Sequence, residues 1–331
     1  MTAGVDGPQP QRGGRWLVLG GAGYIGAHVV RALTDVGVEC IVIDDMSTGR
    51  AVRLPASVPL VEGDAADARL VHDACVAHQP SGVVHLAALR QARESVRRPL
   101  RYWAVNLPAV TETLEALRGA HVRWLVFSSS CSVYGFGGRV REGAPVAPVS
   151  PYGDTKATAE RVLATGCAEL GINWVPLRYF NVVGCGGHPE PWDVSREGLV
   201  PRVTRHLREG RAVVINGRDF ATPDGTAVRD YVDVRDLARA HLTAAGRLER
   251  GDTLPAIDVS TGRPASVLEV VRGLSAAAGV EPRIEWAPRA EGDPDEVWAE
   301  ATMARQWLGW EPQWSLQDSL RAHWDATADG A

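Results

Sequence analysis

The chain has 331 residues, 45% apolar and 23% charged, which suits a folded protein of two lobes and excludes wholesale disorder. Its net charge of −5 argues against an electrostatic grip on nucleic acid, while leaving room for a local basic pocket. No run approaches the roughly 20 apolar residues of a membrane span, and Cys40, Cys75, Cys131, Cys167 and Cys185 show neither zinc nor redox spacing, so a cytoplasmic protein with reduced thiols and no metal site is expected.

Residues 1–14, rich in Gly, Pro and Gln, read as a disordered tail without a signal-peptide segment. Residues 16–19 read as a buried strand and residues 24–36 as a helix, joined by Gly20-Gly21-Ala22-Gly23-Tyr24-Ile25-Gly26. Glycines there permit a tight turn and close approach of backbone N–H groups to a pyrophosphate, to which the helix N-terminus adds positive charge. A second strand over 39–43 ends at Asp44, about 20 residues on, where a carboxylate accepts hydrogen bonds from ribose hydroxyls and repels a 2′-phosphate. The pattern therefore predicts NAD rather than NADP. A third strand over 59–61 precedes Asp64, which is either an adenine contact or a loop cap.

A helix carrying Leu70, Val71 and Cys75 leads into a strand at 82–86, whose His85-Leu86-Ala87-Ala88 end borders the expected cleft. His85 by itself reads as a structural histidine. A helix over 100–117 precedes a strand at 124–127, and a strand at 174–177 extends the alternation. Continuous apolar strands separated by helices predict an α/β fold, a Rossmann-type doubly wound parallel sheet over 15–180 with helices on both faces. Beyond about residue 180 the alternation loosens. Helices are expected at 200–208, 234–248, 266–278 and 316–326. Residues 181–331 are assigned mainly to a smaller α/β substrate-binding lobe, with some segments returning to the first sheet. Trp298, Trp307, Trp310 and Trp314 read as core or interface packing.

Two serine- and tyrosine-bearing motifs carry the chemistry. Ser128-Ser129-Ser130-Cys131-Ser132-Val133-Tyr134-Gly135 follows the fifth strand, at the carboxyl edge where open α/β sheets place ligands. Ser150-Pro151-Tyr152-Gly153-Asp154-Thr155-Lys156 opens a helix, so Tyr152 and Lys156 share one helix face. An ammonium near a phenol lowers its pKa and would let Tyr152 act as a general base, with Ser130 or Ser132 holding the substrate oxygen. An isolated Y-x-x-x-K is an ordinary surface pair; beside a nucleotide motif and a serine-rich strand end it is not. Cys131 has no partnered base and reads as a small filler.

Together with Leu177-Arg178-Tyr179-Phe180-Asn181 and Asp224-Gly225-Thr226-Ala227-Val228-Arg229-Asp230-Tyr231-Val232, these motifs resemble the UDP-glucose 4-epimerase family of extended short-chain dehydrogenase/reductases, over about residues 15–324. The resemblance implies NAD-dependent C4 epimerisation of a UDP-hexose through a transient 4-keto sugar. Tyr152 would take the hydroxyl proton, Lys156 would bind the nicotinamide ribose, and Ser130 with Ser132 would orient the C4 oxygen. It also implies cofactor contacts at Gly20, Gly23, Tyr24, Ile25, Gly26, Asp44, Asp64, Ala65, Leu86, Ala87, Ala88, Arg90, Asn106 and Tyr179. Substrate contacts are implied at Asn181, Leu199, Ile215, Arg229, Asp293 and Val297.

The chain departs from the family at Ala290, where an arginine usually holds the diphosphate, and at Gly198, usually an asparagine. Val297 stands where many family members carry a tyrosine, and a smaller side chain there would admit an N-acetyl group at C2. Arg289 beside Ala290 is expected to point elsewhere. Assembly as a homodimer through helices at 100–117 and 155–170 follows by analogy. Three alternatives stay open: a sugar-nucleotide dehydratase, which would need an acid pair where Cys131 and Ser132 stand, a UDP-glucuronate 4-epimerase, and a non-catalytic NAD-sensing protein.

Overall fold

A computed structural model describes residues 7–135, 138–141, 143–186, 193, 195, 198–290 and 292–327. The first half runs β1 (Arg15–Leu19), α1 (Tyr24–Asp35), β2 (Glu39–Asp44), β3 (Leu60–Glu62), α2 (Ala68–His78), β4 (Gly82–His85), α3 (Ala92–Arg97), α4 (Pro99–Leu117), β5 (Trp124–Ser130), β6 (Gly138–Val140), α5 (Pro151–Leu170) and β7 (Asn173–Tyr179). The second half runs β8 (Asn181–Val183), α6 (Leu199–Arg208), β9 (Val213–Asn216), β10 (Val228–Arg229), β11 (Tyr231–Asp233), α7 (Val234–Glu249), β12 (Ile257–Val259), β13 (Ala265–Ser266), α8 (Val267–Ala278), β14 (Ile284–Ala287), β15 (Glu296–Ala299) and α9 (Leu316–Ala326).

Seven parallel strands form one sheet in the order β12-β7-β5-β4-β1-β2-β3. The order reverses between β1 and β4, which opens a crevice at the carboxyl ends of those strands. Successive side chains leave a strand on opposite faces, so each apolar strand feeds two cores. Trp16 and Val18 join α1 and α7 on one face, while Leu17 and Leu19 join α2, α4 and α5 on the other. A third cluster, built from Val200, Val203, Val213, Ile215, Val271, Leu274 and Leu320, gathers α6, α8 and α9 beside the short pairs β8–β11 and β9–β14.

The chain does not leave the first sheet cleanly at residue 180. The helix α7 covers it and β12 pairs with β7 at its edge. Conversely β6, from the β5–α5 connection, joins a four-stranded sheet of order β13-β10-β15-β6. The expected N-terminal tail is tied down over its second half: Pro8 and Pro10 are buried and Gln11 N donates to Glu249 Oε2 at 2.6 Å. Glycine- and proline-rich composition marks a segment without its own regular structure, not one without partners; residues 1–6 lie outside the described residues. Of the four tryptophans, Trp310 is buried and donates to Asp236 O at 2.8 Å, Trp314 stacks under Arg235, Trp298 under Arg139, and Trp307 is exposed.

Candidate active site

The glycine motif forms the turn from β1 to α1. Gly20 has φ +78°, and a Cβ there would lie 2.8 Å from Ala87 N; a Cβ on Gly26 would lie 2.2 Å from Gly20 O. Only glycine lets the turn, the helix start and the β4 loop approach this closely. The cradle so formed ends at the N-terminus of α1, whose positive end suits a dinucleotide phosphate. Asp44 closes β2 below it, Oδ2 accepting from Ala22 N at 2.9 Å and Oδ1 from Met46 N at 3.0 Å. Burial raises its carboxyl, and those N–H bonds oppose the shift. Asp64 is exposed and caps its own loop, accepting from Ala66 N at 2.9 Å. Buried Ala65 accepts from the Thr113 hydroxyl through its carbonyl at 3.3 Å.

The loop after β4 borders this cradle. Leu86 N donates to Leu19 O at 2.9 Å, and the Asn106 side chain spans the loop, accepting from Leu89 N at 2.7 Å and donating to Leu89 O at 3.0 Å. Asn106 also donates to Thr155 Oγ1 at 3.0 Å, so it fixes the loop against α5. Arg90 reaches Asp193 Oδ1 at 2.6 Å. His85 is fully buried, Nε2 lies 2.9 Å from Ala109 O, and burial lowers its pKa to about 4, so it is a neutral packing residue. On α1, Tyr24 Oη donates to Gly184 O at 2.8 Å, tying the glycine turn to the end of β8.

Helix α5 brings the second motif to the same edge. Ser150 caps it through Gly153 N at 3.1 Å and Pro151 occupies its first turn, which places Tyr152 at the positive end of the helix. Tyr152 N donates to Ser95 Oγ at 3.1 Å. Its phenol feels the Ser130 hydroxyl, which favours the ionised form, together with Tyr179, Cys131 and Arg90. Ser130 Oγ in turn donates to Ser132 Oγ at 3.2 Å and accepts from Ser132 N at 3.2 Å.

The expected lowering of the Tyr152 pKa is not found. Burial raises it well above the ordinary tyrosine value, and the Ser130 hydroxyl and the Arg90 charge only partly oppose this. Lys156 shares the helix face but donates Nζ to Ser128 O at 2.8 Å, above the Phe127 ring. Burial lowers its own pKa to about 8, with Glu160 pulling the other way. Desolvation is the leading cause of both shifts. Tyr179, on β7, shares a hydrogen bond with the Ser128 hydroxyl and is raised by burial to about 12.

A buried polar network behind these groups escaped the sequence reading. Glu160 accepts from Ser129 Oγ at 2.5 Å, from Arg178 Nε at 2.9 Å and from Arg178 Nη2 at 2.5 Å. Arg178 Nη1 donates to Tyr134 Oη at 2.8 Å, and Tyr134 donates to Asp258 Oδ1 at 2.8 Å. It joins α5 to the ends of β5, β7 and β12. The one sequence signal for it was the repeat Tyr152, Lys156, Glu160 at four-residue spacing on α5.

The remaining site residues divide. Asn181 N and Nδ2 both donate to Asp230 O, at 3.1 and 3.2 Å, and Arg229 Nη2 donates to Asp293 Oδ1 at 2.6 Å. Val297, on β15, lies between Arg229 of β10 and Gly138 of β6 in the sheet register. Leu199 opens α6, with Gly198 N donating to Ser195 Oγ at 3.2 Å just before it. The Ile215 side chain is packed in the core. It points with Val213 into the third core, fully buried, because alternate residues of β9 share a face. Arg289 turns to Asp295 at 2.8 Å and lies 4.1 Å over the Phe220 ring. Among the described residues no cluster of His, Cys, Asp and Glu could hold a metal ion, and no helix is long and apolar enough to cross a membrane.

Comparison with known proteins agrees with this geometry. The model of the NAD dependent epimerase/dehydratase family matches residues 16–259. A UDP-glucose 4-epimerase of Azospirillum brasilense is 41% identical over 317 residues, covering 92% of this chain and 89% of the relative. Among solved structures, a UDP-glucose 4-epimerase of Stenotrophomonas maltophila with bound NAD and formylated UDP-arabinopyranose superposes with a TM-score of 0.90 at 32% identity, covering 96% of this chain and 99% of that one. The UDP-Glc/GlcNAc 4-epimerase of Campylobacter jejuni gives 0.82 at 30% identity, covering 95% and 99%. The chain belongs to the NAD dependent epimerase/dehydratase family.

Proposed function

We propose that this protein is an NAD-dependent UDP-hexose 4-epimerase, a cytoplasmic isomerase that inverts C4 of the sugar through a transient 4-keto intermediate. The observation that carries the reading is the meeting of Tyr152 and Ser130 with the glycine turn and the β4 loop at the switch point of the sheet. Bound NAD supplies the hydride acceptor and donor together with a cationic ring. Ser130, aligned by Ser132, holds the C4 oxygen, and Tyr152 takes the C4 hydroxyl proton and later returns it. Lys156, anchored on Ser128 O, would stabilise the anionic phenol and hold the cofactor ribose; Asp44 would receive the adenosine ribose and Arg90 the phosphates. On the other side Asn181, Arg229 and Asp293 grip the UDP moiety, leaving the hexose loose enough to present either face.

The dehydratase alternative lacks its acid. Where an acid pair would stand, Cys131 is raised by burial to about 12 and Ser132 is a hydroxyl. Incubation with UDP-glucose, UDP-GlcNAc or UDP-glucuronate, without added NAD and with products resolved by NMR, tests the assignment. Formation of UDP-galactose is expected; no C4 epimer from any of the three, even with NAD supplied, would refute it. Val297→Tyr should abolish turnover of UDP-GlcNAc and spare that of UDP-glucose, and equal rates in both proteins would sink the proposed role of Val297 in admitting the N-acetyl group.

A further inference from the structure

Asp293 is bracketed by two arginines from different parts of the fold. Arg229 Nη2 donates to its Oδ1 at 2.6 Å from β10, and Arg93 Nη2 donates to its Oδ2 at 3.3 Å from α3. A single carboxylate cannot neutralise two guanidinium groups, and the neighbouring Asp295 is engaged by Arg289. Positive charge accumulates further on α6. Arg202, donating Nη1 to Val214 O at 3.1 Å, is lowered by burial and then by the charges of Arg93 and Arg205.

This excess of positive charge has little structural use. The Arg93 side chain is 60% exposed, and an exposed ion pair of this kind contributes little to stability. One contact also leaves most of a guanidinium's N–H donors available. Arg93 follows directly on the loop that carries Leu86–Arg90, whereas Arg229 belongs to the sheet that carries Val297. The two therefore reach the same point from the two sides of the cleft, each placing one nitrogen on its own oxygen of Asp293. Two guanidinium groups so held suit a dianion with paired oxygens.

We propose that Arg93 is a substrate-binding residue that, with Arg229, grips the diphosphate of the nucleotide sugar. This rests on the reading that Arg229 and Asp293 face the nucleotide. Calorimetric titration of the purified protein with UDP tests it without recourse to turnover. Arg93→Ala should weaken the UDP Kd about tenfold, a loss of about 1.4 kcal/mol, with the melting temperature within about 2 °C of the parent. Arg93→Lys, which keeps charge but not the fork, should fall between. If Arg229→Ala weakens UDP binding and Arg93→Ala leaves it unchanged, the role of Arg93 is overturned and the nucleotide site stands. If neither variant weakens it, both fail together.

Discussion

At the scale of single residues, the local environment of Tyr152 decides the chemistry. Its phenol is buried and raised, so in the protein alone it is neutral. We propose that the reactive form depends on nearby positive charge, which Lys156 and the bound cofactor would supply. Tyr152→Phe keeps the aromatic packing against Tyr102, whose ring centroid is 6.4 Å away, and removes only the proton acceptor. We expect kcat to fall about 10²- to 10⁴-fold with UDP binding and NAD content unchanged; loss of less than tenfold in steady-state assays would assign the proton transfer elsewhere. The pair Tyr152 and Lys156 was legible from four-residue spacing. That Lys156 bonds Ser128 O, and that Glu160 on the next turn is held by Arg178, was not, because strand ends at residues 128 and 178 meet α5 only in the folded chain.

At the scale of elements, the strand–turn–helix unit of β1 and α1 is the most local part of the site. Its glycines specify backbone geometry rather than contacts, and the same arrangement could be read before the fold was known. Gly26→Ala puts a Cβ 2.2 Å from Gly20 O, so the first turn of α1 must shift away from the phosphate cradle. The expected outcome is protein that folds but copurifies with little NAD, measured by absorbance of the released cofactor; full occupancy would show that the turn tolerates the displacement.

The helices with strong caps, α8 behind the Ser266 capping box and α9 behind that of Ser315, were also anticipated within a residue or two of their bounds. Strands of two to four residues, β6 and β8 to β15, were not. They are too short for an alternation to show, and only their neighbours hold them extended.

At the scale of the whole molecule, burial of titratable groups makes stability depend on pH. His28, His85, His241 and His323 are each buried and lowered by desolvation to about 4 from an ordinary value of 6.5. An unfolded chain binds these protons first, so the stability they represent is complete above about pH 6.5. It is lost as pH falls towards 4, on the order of 3 kcal/mol for each histidine. Asp236, raised by burial to about 6, works the other way over part of that range, but the four histidines outweigh it. The urea midpoint should therefore drop from pH 7 to pH 5, and an unchanged midpoint would show that the histidines are hydrated in solution.

Assembly belongs to the same scale. We propose that a second copy of the chain covers α4, on which Leu100 is 80% exposed and Val105 is 37% exposed. Leu100→Glu should shift the mass by light scattering from dimer to monomer. A monomeric parent protein would remove the proposal.

What the sequence by itself determined is whatever the chain encodes within about 20 residues. The periods of β1 to β5 and their helices, the glycine turn with Asp44 at the next strand end, and the Tyr152–Lys156 face all belong to this class, because backbone conformation and side-chain spacing act over short distances. Only the tertiary structure decided which buried charges meet. Arg93 and Asp293 are 200 residues apart, Tyr134 and Asp258 are 124 apart, and β6 leaves its own neighbourhood to lie beside β15. Desolvation and ion pairing depend on everything that surrounds a group in space, and that environment exists only once the sheet has brought its strand ends together.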